Sequence, residues 1–147
     1  DLTVAVEVGL MAACLTFIYR ISSLSRTEQV QTDSHPELAG HEAAVQAHRL
    51  YGALFFGAVK LVENMETHLP EQALVLDLKN LIYIDTSGAD SLVSLARNCR
   101  KKHVRLVVCG LAHQPLEMMQ RCGLLQQLPA NDLQPDLAQG LASALGR

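Results

Sequence analysis

"IYIDTSGADSLVSL", Ile82 to Leu95, is the stretch on which the fold turns. An apolar run ends at Asp85. Beyond Gly88, apolar residues recur at Ala89, Leu92, Val93, Ala96 and Cys99, the spacing of one face of a helix. The change of period predicts a buried strand that runs into a helix, with Asp85, Thr86, Ser87 and Gly88 at the joint. Such a joint has two physical uses. Ser87 and Asp90 have the spacing of a capping box, and Asp85 or Thr86 could equally be the N-cap. A helix N-terminus also exposes unpaired N–H groups and partial positive charge, which suit an anion.

Working outward, "QALVLDLKNLIYID" (residues 72–85) reads as one apolar strand covered on both sides. Before it, "GAVKLVENMETHLP" (57–70) places Ala58, Leu61, Val62, Met65 and Leu69 on one helical face, stopped by Pro70. "AAVQAHRLYGALFF" (43–56) reads as extended, two short strands bent at Gly52. After it, "VRLVVCGL" (104–111) is a buried strand. "PLEMMQRCGLL" (115–125) is a helix with Pro115 at its first position and a stop near Gly123. "PDLAQGLASAL" (135–145) is a last helix with Leu137, Leu141, Ala144 and Leu145 inward. Alternating elements predict an α/β fold, a mostly parallel sheet with right-handed crossovers and about four α-helices.

The N-terminal segment follows other rules. From Leu2 to Tyr19 only Thr3, Glu7 and Thr16 interrupt an apolar run. A helix over residues 3–24 would span about 33 Å, close to the hydrocarbon thickness of a bilayer. No basic region precedes it and no small-residue cleavage site follows, so it is not a signal peptide. Arg20 and Arg26 follow the run, which predicts that its C-terminal end and all beyond it face the cytoplasm. The alternative is a self-associating helix of a soluble protein. Glu7 is an intramembrane acidic residue; Asp1 lies two helical turns away, so hydration at the far interface accounts for it, the other reading being a transport path or a partner helix. The expected organisation is residues 1–24 as the last helix of a transmembrane region, 25–40 as a linker and 41–147 as one compact domain. The chain opens on Asp1 rather than Met and reads as a piece of a longer protein.

Composition narrows the function. The 147 residues carry a formal charge of −3, 4% aromatics and no Trp, so neither a positive field nor a base-stacking surface invites nucleic acid. Cys14, Cys99, Cys109 and Cys122 form no C-x-x-C pair and read as reduced, buried thiols. The six histidines are scattered without metal-ligand spacing, and no P-loop, nucleophile elbow or paired-carboxylate pattern is present. Neither a cofactor, a metal nor an enzymatic activity is therefore expected.

The pattern "GALFFGAVKLVE…LVLDLKNLIYIDTSGADSLVSLARNCRKKHVRLVVCGL…CGLL" resembles the STAS domain, the fold shared by anti-sigma factor antagonists and SulP-type anion transporters. The D-T-S-G turn at residues 85–88 carries the resemblance, which covers about Ala44 to Leu145. "GALFFGA" and the preceding hydrophobic helix point to the transporter branch. The resemblance implies a non-enzymatic regulatory and assembly domain on the cytoplasmic face of the inner membrane, attached to a sulfate-like secondary anion transporter. Its partners would be the transmembrane core, a second STAS domain or a soluble regulatory protein. In the antagonists the second hydroxyl residue of the turn is phosphorylated, and the matching residue is Ser87. The alternatives are a free-standing antagonist phosphorylated on Ser87 and a nucleotide-dependent switch at the same turn. A second candidate surface is "RNCRKKHVR", where Arg97, Arg100, Lys101, Lys102 and Arg105 could meet anionic lipid or acidic loops of a partner, or simply form a solvated helix end.

Overall fold

In a computed structural model the chain is described at residues 1–31, 35–41, 43–55, 59–129 and 132–146. Helix α1, Leu2–Leu24, stands apart. Its segment Leu2–Ile21 is long and apolar enough to cross a membrane, and none of it is buried against the rest of the molecule. The remaining elements form one α/β unit. In chain order they are β1 (Arg26–Gln29), a 3-10 turn (Pro36–Leu38), β2 (Val45–Leu54), α2 (Val59–Thr67), β3 (Ala73–Asp77) and β4 (Leu81–Ile84). Then come α3 (Thr86–Lys101), β5 (Arg105–Cys109), α4 (His113–Cys122), α5 (Leu124–Gln127), β6 (Leu133–Gln134) and α6 (Leu137–Ala144).

The six-stranded sheet runs β1-β2-β3-β5-β6, with β4 also paired to β2. Only β1 is antiparallel among these pairings. The five residues of β3 are all buried, as expected of a strand covered on both faces. Leu74 and Leu76 enter a core with Leu92, Leu95 and Met119, whereas Ala73 and Val75 enter a second core with Leu137 and Leu141. Helices α2, α3 and α4 thus cover one face and α6 the other. Gly140 lets α6 lie close to the sheet: a Cβ there would sit 3.2 Å from the sulfur of Cys109.

Four features differ from the sequence expectation. The apolar run 72–85 is two strands, because the Asp77 carboxylate accepts the Lys79 backbone N–H (3.1 Å) and turns the chain between Asp77 and Leu81. Both strands still run parallel to β2. Conversely, the two short strands expected around Gly52 are one strand that bends there, with Gly52 at φ 81 and a register shift between Gly52 and Ala53. Ahead of the bend β2 pairs with β3, and beyond it with β4. The stretch expected as a linker contains β1, held by cross-strand contacts to Tyr51: the Arg26 guanidinium lies 4.4 Å over the ring, and the phenol donates to Glu28 (3.1 Å). Finally, α4 starts at His113, so Pro115 is its third residue rather than its first. Its end at Gly123, in the left-handed conformation, is as expected. The one-turn α5 adds a fifth helix to the α/β unit, and Ala58, expected on the face of α2, lies outside the described residues.

Candidate functional site

The joint between β4 and α3 is built by three backbone commitments. The Asp85 N–H donates to the carbonyl of Leu54 at the end of β2 (3.1 Å). The Asp85 carboxylate caps the helix by accepting the Gly88 N–H (2.8 Å), and its carbonyl accepts the Ala89 N–H (2.9 Å). Gly88 is buried, and a Cβ there would lie 2.3 Å from the Leu54 carbonyl oxygen. Glycine is needed because the end of β2 presses on the first turn of α3, not to admit a ligand.

These contacts separate structural from unassigned residues. Asp85 is the N-cap, which excludes Thr86 and leaves no capping box between Ser87 and Asp90. Thr86, Ser87 and Asp90 are exposed. The Ser87 hydroxyl has no hydrogen-bond partner among the described residues, and it sits in the first helical turn, where backbone N–H groups lack intrahelical acceptors. An anion on this oxygen would meet the positive end of the helix dipole, opposed by the charges of Asp85 and Asp90.

Beside the turn lies a feature the sequence pattern hid. Ile82 and Tyr83, expected in a buried strand, are 75% and 47% exposed. Among the described residues β4 has a neighbour on one side only, and consecutive residues on it, Ile82 and Tyr83, are exposed. Its outer edge is closed at Ile84 by the Gln114 amide, which accepts the Ile84 N–H (2.9 Å) and donates to the Ile84 carbonyl (2.7 Å). No local pattern signals a pairing across thirty residues.

The basic cluster divides. Arg97, Arg100, Lys101 and Lys102 are exposed at the C-terminal end of α3, about 15–22 Å along the helix from Ser87. Arg105 does not belong with them. It opens β5, bonds the buried carboxylate of Asp132 at 2.5 Å, and donates to the Ser143 carbonyl at 2.7 Å, which ties β5 to α6. Glu7 lies on α1, exposed like its neighbours from Leu2 to Arg20. Asp77 has Arg49 at 3.6 Å besides the Lys79 N–H.

Nothing in the thiols suggests chemistry. Burial, with the charge of Glu66 added, pushes Cys99 up to about 11, and burial with Asp77 pushes Cys109 up to about 12. Both stay protonated at neutral pH and are poor nucleophiles. Cys14 is exposed on α1 and Cys122 half-buried, so only two of the four match the expectation of buried thiols. His48 is lowered by burial alone. Among the described residues no group of three or more His, Cys, Asp or Glu could hold a metal.

The family model of the STAS domain matches residues 35–140. The chain is 30% identical over 132 residues to "Putative sulfate transporter YvdB" of Bacillus subtilis (strain 168). That alignment covers 87% of the chain but 24% of the relative, so the chain spans about a quarter of the protein it matches. Among solved structures it is similar in fold to the murine Solute Carrier 26 family member A9 anion transporter in its inward-facing state. There the TM-score is 0.73 at 15% identity, covering 100% of this chain and 26% of that one. An anti-sigma factor antagonist from Mycobacterium paratuberculosis shares the fold with a TM-score of 0.63 at 17% identity, covering 82% and 94%.

Proposed function

Because the chain belongs to the STAS domain family, we propose that it is the cytoplasmic regulatory and assembly domain of a SulP-type secondary anion transporter, carried on the last membrane helix. One observation carries this reading: the segment Leu2–Ile21 of α1 is apolar with none of it buried, yet the helix is joined to the sheet without slack. The Ser25 hydroxyl, one residue beyond α1, donates to the carbonyl of Ala53 on β2. A soluble protein would gain nothing from holding a largely apolar segment of 20 residues in water, at about 25 cal/mol per Å² of apolar surface. In a bilayer the same helix is satisfied. The similarity to a sulfate transporter supports the transporter branch.

The domain acts by docking. The Ser87 turn offers an unengaged hydroxyl beside two exposed apolar side chains on a rigid joint, and the basic end of α3 offers a second, separate contact. Partners are the transport core, a twin STAS domain or a soluble regulator. Modification of Ser87 would change what docks rather than whether the domain folds. Transport itself resides in the remaining three quarters of such a protein, so this chain transports nothing alone.

The free hydroxyl of Ser87 is also what a free-standing antagonist would present to a kinase, and the antagonist-like fold supports that second reading. Fractionation separates the two. The expected result is that the expressed chain pellets with membranes and resists carbonate extraction, whereas recovery in the soluble fraction would favour the antagonist.

A further inference from the structure

The end of the sheet that carries the Ser87 turn is also the end to which α1 is fixed. Ser25 is bonded to Ala53. Ala53 pairs with Tyr83, and the next carbonyl, that of Leu54, receives the Asp85 N–H. From Ile21, where the apolar segment ends, four helical rises to Ser25, one step from Ser25 to β2 and one from β2 to β4 amount to a path of at most about 16 Å. The polar interfacial layer is about 5–8 Å deep on each side of the hydrocarbon. The backbone of Tyr83 is therefore tethered within about 16 Å of the end of the apolar segment, near enough for its side chain to approach that layer.

We infer that β4 is a membrane-interface anchor, with Ile82 and Tyr83 seated among the lipid headgroups beside the exit of α1. The inference rests on the reading of α1 as a membrane span. Residue chemistry fits: tyrosine concentrates at membrane–water interfaces because its ring is apolar and its hydroxyl wet, and Ile82 adds apolar area. Arg20 and Arg26 flank the helix exit with the charge that suits anionic headgroups. The geometry also argues against a protein occupant adding a strand to this edge, since Gln114 already holds the N–H and carbonyl of Ile84. The opposite end of the unit, with Lys101 and Lys102, is directed away from the bilayer. The Ser87 turn, by contrast, lies at the membrane-proximal end.

The chain contains no tryptophan, so one introduced indole reports its own surroundings. Tyr83→Trp, Ile82→Trp, Tyr19→Trp and Lys101→Trp alter exposed side chains only. Each full chain is reconstituted in phosphatidylcholine–phosphatidylglycerol vesicles, with and without lipid brominated near the headgroup end of its acyl chains. The expected result is a blue shift and loss of most emission for Tyr83→Trp and Ile82→Trp, the same for Tyr19→Trp on α1, and no loss for Lys101→Trp. Quenching of Tyr19→Trp alone would overturn the anchor while leaving the membrane helix standing. A blue shift at Tyr83→Trp without quenching would mean that protein, a second copy included, covers β4, and would also overturn it. If Tyr19→Trp too were unquenched, the reading of α1 would fall and the anchor with it.

Discussion

The two ends of α3 belong to one helix and have little else in common. Around its N-terminus the chain is fixed by groups outside the helix: Asp85 by the carbonyl of Leu54, Gly88 by the same carbonyl, which occupies the space a Cβ would need, and Ile84 by Gln114. At its C-terminus Arg97, Lys101 and Lys102 project into solvent, and the helix stops at Lys102 and His103, the latter with a positive φ of 58. A surface that must present one serine reproducibly needs the first kind of end. A surface that attracts by charge needs only the second, because Coulomb attraction over a Debye length of about 8 Å tolerates imprecise placement. The difference teaches that the exposed residues of the rigid end, Ser87 with Ile82 and Tyr83, are the ones whose positions the fold fixes.

The comparison breaks most easily at Gly88. If the rigid end depends on the close approach of β2, Gly88→Ala should destabilise the domain by about 3 kcal/mol or more, because the atom in the way is backbone and cannot rotate aside. Denaturant unfolding of the full chain in detergent, followed by circular dichroism, measures this. Gly140→Ala, whose new Cβ meets a cysteine side chain at 3.2 Å, is the milder control. Equal stability of Gly88→Ala and the parent chain would mean that the joint is not rigid.

At the other end the same logic separates Arg105 from its sequence neighbours. Arg105→Ala leaves Asp132, 5% exposed, without its cation. Losing a partner of a buried pair costs about 3–5 kcal/mol, and the half-exposed Arg105 places the expectation nearer about 2 kcal/mol. Arg97→Ala should change stability by less than about 0.5 kcal/mol. The pair of unfolding midpoints tests whether "RNCRKKHVR" is one patch or, as the contacts imply, a patch plus a structural arginine.

How far the sequence carried the fold depends on the range of the forces involved. The joint at residues 85–88, the face of α3 and the stop at Gly123 were legible because a period or a conformational need is written in adjacent residues. The break at Asp77 was not: its carboxylate chooses the Lys79 N–H over continued pairing, and the surrounding leucines mask that choice. Strand β1 was hidden because an edge strand of Arg26, Thr27, Glu28 and Gln29 carries no apolar alternation, its hold being the cross-strand contacts to Tyr51. At the candidate site, Ser87 was found by resemblance to a family turn. Its exposure, the identity of the cap and the outward Ile82 and Tyr83 needed β2, β4 and α4 in place. So did the pairing of Arg105 with a carboxylate 27 residues away.

A smaller effect sharpens the roles within the turn. Asp85→Ala removes the acceptor of the Gly88 N–H and should cost about 1 kcal/mol, the usual worth of an N-cap. Ser87→Ala removes a hydroxyl that bonds nothing among the described residues, so its unfolding midpoint should match the parent within error. A loss at Ser87 as large as that at Asp85 would return the serine to a structural role.

The smallest expected change is the most informative about function. A negative charge at Ser87, introduced as Ser87→Glu, gains about 0.3–1 kcal/mol from the helix dipole. It meets Asp85 and Asp90 at separations where a unit pair in water opposes by about 1 kcal/mol or less. The two contributions leave stability within about 0.5 kcal/mol of the parent, a shift near the resolution of an unfolding curve. The charge nonetheless sits at the end of the sheet to which α1 is tied, where an anionic leaflet or an acidic partner would feel it at full strength. Ser87→Glu should therefore unfold like the parent and differ from it in docking, read as a changed fraction of chain crosslinked to its membrane-side neighbours. An unfolding midpoint that moved as far as that of Asp85→Ala would show that the turn responds to charge by melting, and the division between a rigid presenting end and a merely attractive one would be lost.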